Sequence, residues 1–156
     1  MSNLQLPQGG ALINGFKPQV NTAAIEGDWI SCKTVHKAFV VFHMAQGEAT
    51  QAVLSIYKAT DVAATGAVQV AATMPIWYNL DCDTDQFTRA TDAATYTLDV
   101  ALKTKIVIFQ VDPSILGAFD CIKGYAAASN ILNIVGCTYI LENRYKGDGP
   151  PSVIID

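Results

Sequence analysis

Apolar residues in this chain recur with the period of a strand rather than that of a helix. Residues 37–45 (KAFVVFHMA) are rich in β-branched and aromatic side chains and do not alternate with polar ones, which predicts a central strand buried on both faces. Residues 51–58 alternate cleanly, with Ala52, Leu54 and Ile56 on one face and Val53, Ser55 and Tyr57 on the other. Residues 28–33, 76–82, 95–98, 104–111, 119–127 and 135–142 read as further strands, separated by Gly, Pro, Asp and Asn. About eight strands with turn signals every ~8–12 residues predict an all-β chain, either an antiparallel β-sandwich or a jelly-roll-like barrel. Residues 60–67 and 129–134 are compatible with short helices. Pro113 and Gly117 frame a turn or a single 3₁₀ turn over residues 112–117.

The two ends break this pattern. Residues 1–20 hold one charge, Lys17, and scatter Leu4, Leu6, Leu12, Ile13 and Phe16 among Pro7, Gly9, Gly10, Gly15 and Pro18, with neither period sustained. They predict an extended arm that packs its few apolar side chains on something else. At the other end, Gly147-Asp148-Gly149-Pro150-Pro151 stops regular structure before an apolar tip, Val153-Ile154-Ile155. The expected organisation is therefore an N-terminal arm (1–20), a β core (21–146) and a C-terminal arm (147–156).

Composition sharpens this picture in one respect. The chain of 156 residues is 51% hydrophobic and only 15% charged, whereas soluble monomers usually keep about 25–35% of their surface charged. Either the surface is rich in Ala, Thr and Ser, or much of it is covered, and the two arms favour a homo-oligomer (dimer or trimer) or larger assembly. Ten basic residues scattered among 14 acidic ones speak against nucleic acid as a partner. The first ten residues lack the basic start and apolar stretch of a signal peptide. The longest apolar run, 131–141, is too short to span a bilayer and contains Asn133, so no membrane partner is expected. Cys32, Cys82, Cys121 and Cys137 show no CxxC or zinc-site spacing and read as free thiols.

Candidate chemistry is sparse. His36 and His43 lie seven residues apart, an odd separation that sends them to opposite faces of one strand, and His43 reads as a packed, hydrogen-bonded core or interface histidine. Asp81, Asp83 and Asp85 start like a calcium loop, with Asp92 eleven residues after Asp81. Position six, however, is Gln86 rather than glycine, and the last ligand is Asp rather than a bidentate Glu. The chain has no GxGxxG, Walker, GxSxG or HExxH motif. No catalytic, cofactor-binding or metal-binding residues are expected, and the chain reads as a non-enzyme without a cofactor.

Several segments carry a resemblance. Leu6-Pro7-Gln8-Gly9-Gly10, the run from Asn21-Thr22-Ala23-Ala24-Ile25 to Glu26-Gly27-Asp28, and Lys58-Ala59-Thr60-Asp61 followed by Thr65-Gly66-Ala67 resemble small virion proteins of tailed bacteriophages. Gly117-Ala118-Phe119-Asp120-Cys121-Ile122, the run Tyr139-Ile140-Leu141 to Arg144-Tyr145, and Pro150-Pro151-Ser152 to Asp156 are similar to the same group. In role the group is similar to head decoration, or cement, proteins. The resemblance implies a capsid-surface protein made in the bacterial cytoplasm, with the major capsid protein as partner. The interface expected from the apolar positions comprises Leu4, Leu6, Leu12, Ile13, Phe16, Trp77, Tyr78, Tyr145, Val153, Ile154 and Ile155. Other phage structural roles (head completion, tail or fibre) remain alternatives. So do a carbohydrate- or small-molecule-binding jelly roll with a shallow site at Trp77, Tyr78 and the acidic cluster, and a hydrolase with a spatial Cys-His pair.

Overall fold

A computed structural model describes residues 10–144. Twelve strands appear in chain order: β1 (Gly10–Val20), β2 (Ile25–Glu26), β3 (Ile30–Ser31), β4 (Val35–Ala45), β5 (Val53–Ala59), β6 (Val68–Gln69), β7 (Ile76–Asn79), β8 (Thr88–Arg89), β9 (Thr95–Thr97), β10 (Thr104–Val111), β11 (Cys121–Ala126) and β12 (Ile134–Asn143). They form two antiparallel sheets of six strands. The first runs β1-β12-β4-β10-β7-β8. In the second, β11 and β5 are central, with β2 and β3 pairing on β11 and β6 and β9 on β5. The expected sandwich is present, with four more strands than the pattern predicts.

The core lies between the sheets. β4 contributes Ala38, Val40, Phe42 and Met44, β10 contributes Val107, Phe109 and Val111, and β5 and β11 answer with Leu54, Ile56, Ile122 and Ala126. Phe42 stands at the middle, its ring edge-on to Phe109 at 5.8 Å and tilted against Phe16 at 6.3 Å. Tyr139 of β12 crosses from one sheet to the other. Its hydroxyl accepts a hydrogen bond from Gly124 N (2.9 Å) and donates to Asp28 O (3.0 Å).

Three expectations need correction. From Gly10 onward the proposed N-terminal arm is strand β1, paired with β12 at the edge of the first sheet, with irregularities between Asn14 and Phe16 and between Phe16 and Gln19. The C-terminal arm (147–156) lies outside the described residues. β4 is buried along its inner face, but on the other face only Val41 (8% exposed) is buried: Lys37 and Phe39 are half-buried, and His43 and Ala45 are exposed. The physical reason is that the odd-numbered positions from Lys37 to Ala45 point to the outer face of the first sheet, which no second sheet covers among the described residues. Finally, residues 60–67 and 129–134 form no helix. Asp61 accepts the Thr65 N–H and closes a turn, while Asn130 accepts the Leu132 N–H. The 3₁₀ turn is present at Pro113–Leu116, capped by the Asp112 carboxylate on Ser114 N and left through Gly117 at φ 68°.

All four cysteines are free. Burial pushes the Cys32 thiol up to about 12 and raises Cys137 further still. Burial, and next a hydrogen bond to Asp120, push Cys121 up to about 11. Cys82 is half-exposed. A disulfide-exchange reagent at pH 8 is expected to label Cys82 first in the folded chain and all four thiols after denaturation. Equal rates for all four in the folded state would contradict this core.

Candidate interface

At one end of the sandwich, three loops are drawn together by two buried polar side chains. Asn133, fully buried, accepts hydrogen bonds from Gly47 N (3.0 Å) and Glu48 N (2.9 Å) on its Oδ1. Its Nδ2 donates to Thr50 O (3.1 Å) and Ser129 Oγ (2.6 Å), tying residues 46–52 to residues 127–133. Lys105, also fully buried, donates to Gln46 Oε1 (2.6 Å) and to Asp99 O (3.0 Å), and pairs with the Asp99 carboxylate. That fastens residues 98–103 to the same platform. Backbone bonds complete it: Gln46 N to Lys103 O at 3.1 Å and Asn21 N to Asn133 O at 2.8 Å. Polar groups thus face inward on these loops, where most find a partner, while Asn21 Oδ1 is buried without one.

The outward positions carry the opposite chemistry. Val20, Val100, Leu102, Ile131, Leu132 and Ile134 are 42–62% exposed, and they are six of the eleven exposed large apolar side chains among the described residues. The pairings place them together. Val20 faces Ile134, Ile134 faces Ala45, and Ala45 faces Thr104, closing the first sheet at this end, with the loops carrying the other four just beyond. The β7–β8 hairpin leans on the same end through Cys82 N to Thr104 O (3.0 Å) and displays exposed Phe87. Lys103 reaches its Asp81 (3.1 Å) and Asp83 (3.4 Å), and the Lys103 hydrogen bond holds Asp81 below the usual carboxylate range.

A second apolar area lies on the outer face of the first sheet. Leu12 (63% exposed) pairs with Ile140 and Ile140 with Phe39. Val41 pairs with Ile108, and Ile108 with Trp77, which is 38% exposed beneath the Arg89 guanidinium.

Of the residues expected at an interface, Leu12 and Trp77 are exposed on this outer face. Phe16 belongs to the core, and Ile13 packs against it, because both sit at inward positions of β1. Tyr78 faces the other way from Trp77 and stacks on Tyr96 at 5.4 Å, so the two do not form one shallow site. Leu4, Leu6, Tyr145, Val153, Ile154 and Ile155 lie outside the described residues. The braced end was not expected from the sequence. Ile131 and Leu132 fall there in a stretch compatible with a short helix (129–134) and in the longest apolar run (131–141).

No family model matches the chain, and no curated protein matches it. Among solved structures it is similar to the SPBc2 prophage-derived protein YomS (TM-score 0.49, 8% identity, covering 90% of this chain and 98% of that one). It is similar also to the enzymatically active domain of bacteriophage CBA120 tailspike protein 4 (TM-score 0.38, 10% identity, 85% of this chain but 19% of that one). The Tobacco streak virus coat protein dimer is a third (TM-score 0.27, 11% identity, 99% of each chain). Phage and viral proteins thus stand among the neighbours, and at these scores the likenesses carry no functional argument.

Proposed function

We propose that the chain is a virion structural protein of a tailed bacteriophage, a decoration protein that binds the outside of the head and braces its capsomers. The observation that carries this reading is the set of exposed apolar side chains on loops braced from within. Loops stiffened by satisfied buried polar groups are built to hold a surface in place, and apolar groups held in water at such a surface need a partner. The partner is the major capsid protein, with copies of the chain associating as a homo-oligomer on the shell. Such a protein needs no catalytic residues. It stabilises the assembled state because it binds neighbouring subunits together and not apart. In the test, purified phage particles are analysed for the chain by mass spectrometry, and particles lacking it are heated with and without added protein. Retention of the chain on particles and a higher temperature of DNA release are expected. A chain found only in the soluble fraction would overturn the proposal.

A second reading, a carbohydrate-binding sandwich, is favoured by one feature on the outer face of the other sheet. There Tyr57 and Tyr125 lie 5.0 Å apart, and the Lys123 ammonium, paired with Glu26, sits 4.8 Å from the Trp29 ring. Sugar-dependent NMR shifts at these rings, absent in Tyr57→Ala, would support it over the first.

A further inference from the structure

We infer that the braced apolar end is the docking end of the molecule, and that it docks on a protein surface where an apolar patch is ringed by lysine or arginine. This rests on the virion reading for where the partner is, and adds the orientation and the chemistry of the contact. The apolar centre of the patch is Val100, Leu102, Ile131 and Leu132, presented on loops whose backbone is already fixed by Asn133 and Lys105, with Ile134 beside them at the start of β12. Little conformational freedom remains to be lost on binding, the condition under which modest apolar contact gives useful affinity.

Charge selects among the occupants. Glu48, Asp81, Asp83, Asp85 and Asp99 all lie on the loops at this end. Their basic counterparts are Lys103, already engaged by Asp81 and Asp83, and Lys105, which is buried with Asp99. The accessible rim is therefore acidic. A second copy docking end to end would bring like charge onto like charge, which disfavours self-association through this surface. Anionic lipid and nucleic acid are repelled by the same rim. A partner with basic residues around an apolar patch satisfies both parts of the surface. β1 begins and β12 finishes at the far end of the first sheet, away from the contact.

The test adds full-length chain back to phage particles that lack it and measures the bound fraction by sedimentation. The double variant Leu102→Gln, Ile131→Gln replaces exposed side chains and is expected to fold normally but to bind at least tenfold more weakly. Leu12→Gln, at the far end, is expected to bind as the unaltered chain does. Asp83→Asn with Asp85→Asn is expected to weaken binding severalfold at about 50 mM NaCl, with the difference largely gone near about 500 mM, where charges are screened within a few ångströms. Equal binding by the double apolar variant would overturn the inference while leaving the virion reading intact, and tighter binding by the charge-neutralised variant would overturn it too. A dimer of the isolated chain that Leu102→Gln, Ile131→Gln dissolves would show that the occupant is a second copy. Uptake onto zwitterionic vesicles that the same variant abolishes would show that it is lipid, and either result overturns the inference. Failure of the unaltered chain to bind any particle would remove the virion reading and this docking mode together.

Discussion

Replacing Tyr139 by alanine is expected to lower stability by about 4–5 kcal/mol, near the top of the range for truncating a large buried aromatic side chain. The side chain is fully buried, spans the space between the sheets and satisfies two backbone groups in the second layer, Gly124 N and Asp28 O. Tyr139→Phe keeps the ring but leaves both groups unpaired, at an expected cost of about 1–3 kcal/mol. Neighbouring backbone has been cleared for this ring. A Cβ on Gly27 would stand 2.2 Å from the Tyr139 hydroxyl, and one on Gly15 would stand 2.9 Å from its ring. Gly27→Ala is therefore expected to be strongly destabilising alone and markedly less so in the Tyr139→Phe background, where the nearest atom of the ring is 3.4 Å away. Urea midpoints of the four proteins provide the check, and strict additivity would show that the hydroxyl is not the obstacle. The same burial raises the hydroxyl's pKa far above its ordinary value of 10.0. Because the folded pKa is raised, this group's contribution is complete below about pH 10 and is lost as the pH rises further and the unfolded chain ionises. That part of the alkaline destabilisation is expected to vanish in Tyr139→Phe.

Eight strands were legible in the sequence, from clean alternation over 51–58 or from runs rich in β-branched and aromatic residues between turn signals, and the structure places all eight within two or three residues at their ends. β10 (Thr104–Val111) has the bounds expected. β1 escaped because its period breaks where it must. Gly15 sits against Tyr139, Pro18 packs on Gly136, and the register shifts on either side of Phe16 put Ile13 and Phe16 on the same inward side despite their odd spacing. β2, β6 and β8 are two-residue pairings, too short to impose any period. The double burial expected of β4 failed for a different reason. A run of apolar residues cannot distinguish a second covered face from a partly covered one, and on that face Phe39 is half-buried and His43 exposed although Val41 is buried. The braced end was illegible because it depends on which loops meet. Asn133 lies in a stretch compatible with a short helix and Gln46 between two expected strands, and nothing marks either until β4, β10 and β12 bring residues 46–52, 98–103 and 127–133 side by side.

Lys105→Ala is expected to be the most damaging change at the braced end, lowering stability by about 3 kcal/mol. Removing one member of a buried, hydrogen-bonded ion pair costs about 3–5 kcal/mol, because the partner's charge is left without compensation. The lower figure applies here because Asp99 is half-exposed and can turn to water, while Lys105 itself is fully enclosed. Gln46 Oε1 and Asp99 O lose their donor as well. For a domain of this size the change corresponds to a fall in melting temperature of roughly 6–12 °C. Lys105→Met, which keeps the aliphatic packing and removes only the ammonium, is expected to cost about half as much. The two substitutions also separate stability from display. Both release residues 98–103, so amide exchange of the Lys103 and Leu102 N–H groups is expected to accelerate in each variant, while the central strands β4 and β12 stay protected in Lys105→Met. Unchanged exchange at 98–103 would mean that Lys105 does not hold the loop. Faster exchange with unchanged particle binding would mean that the loop's fixed conformation contributes nothing to docking.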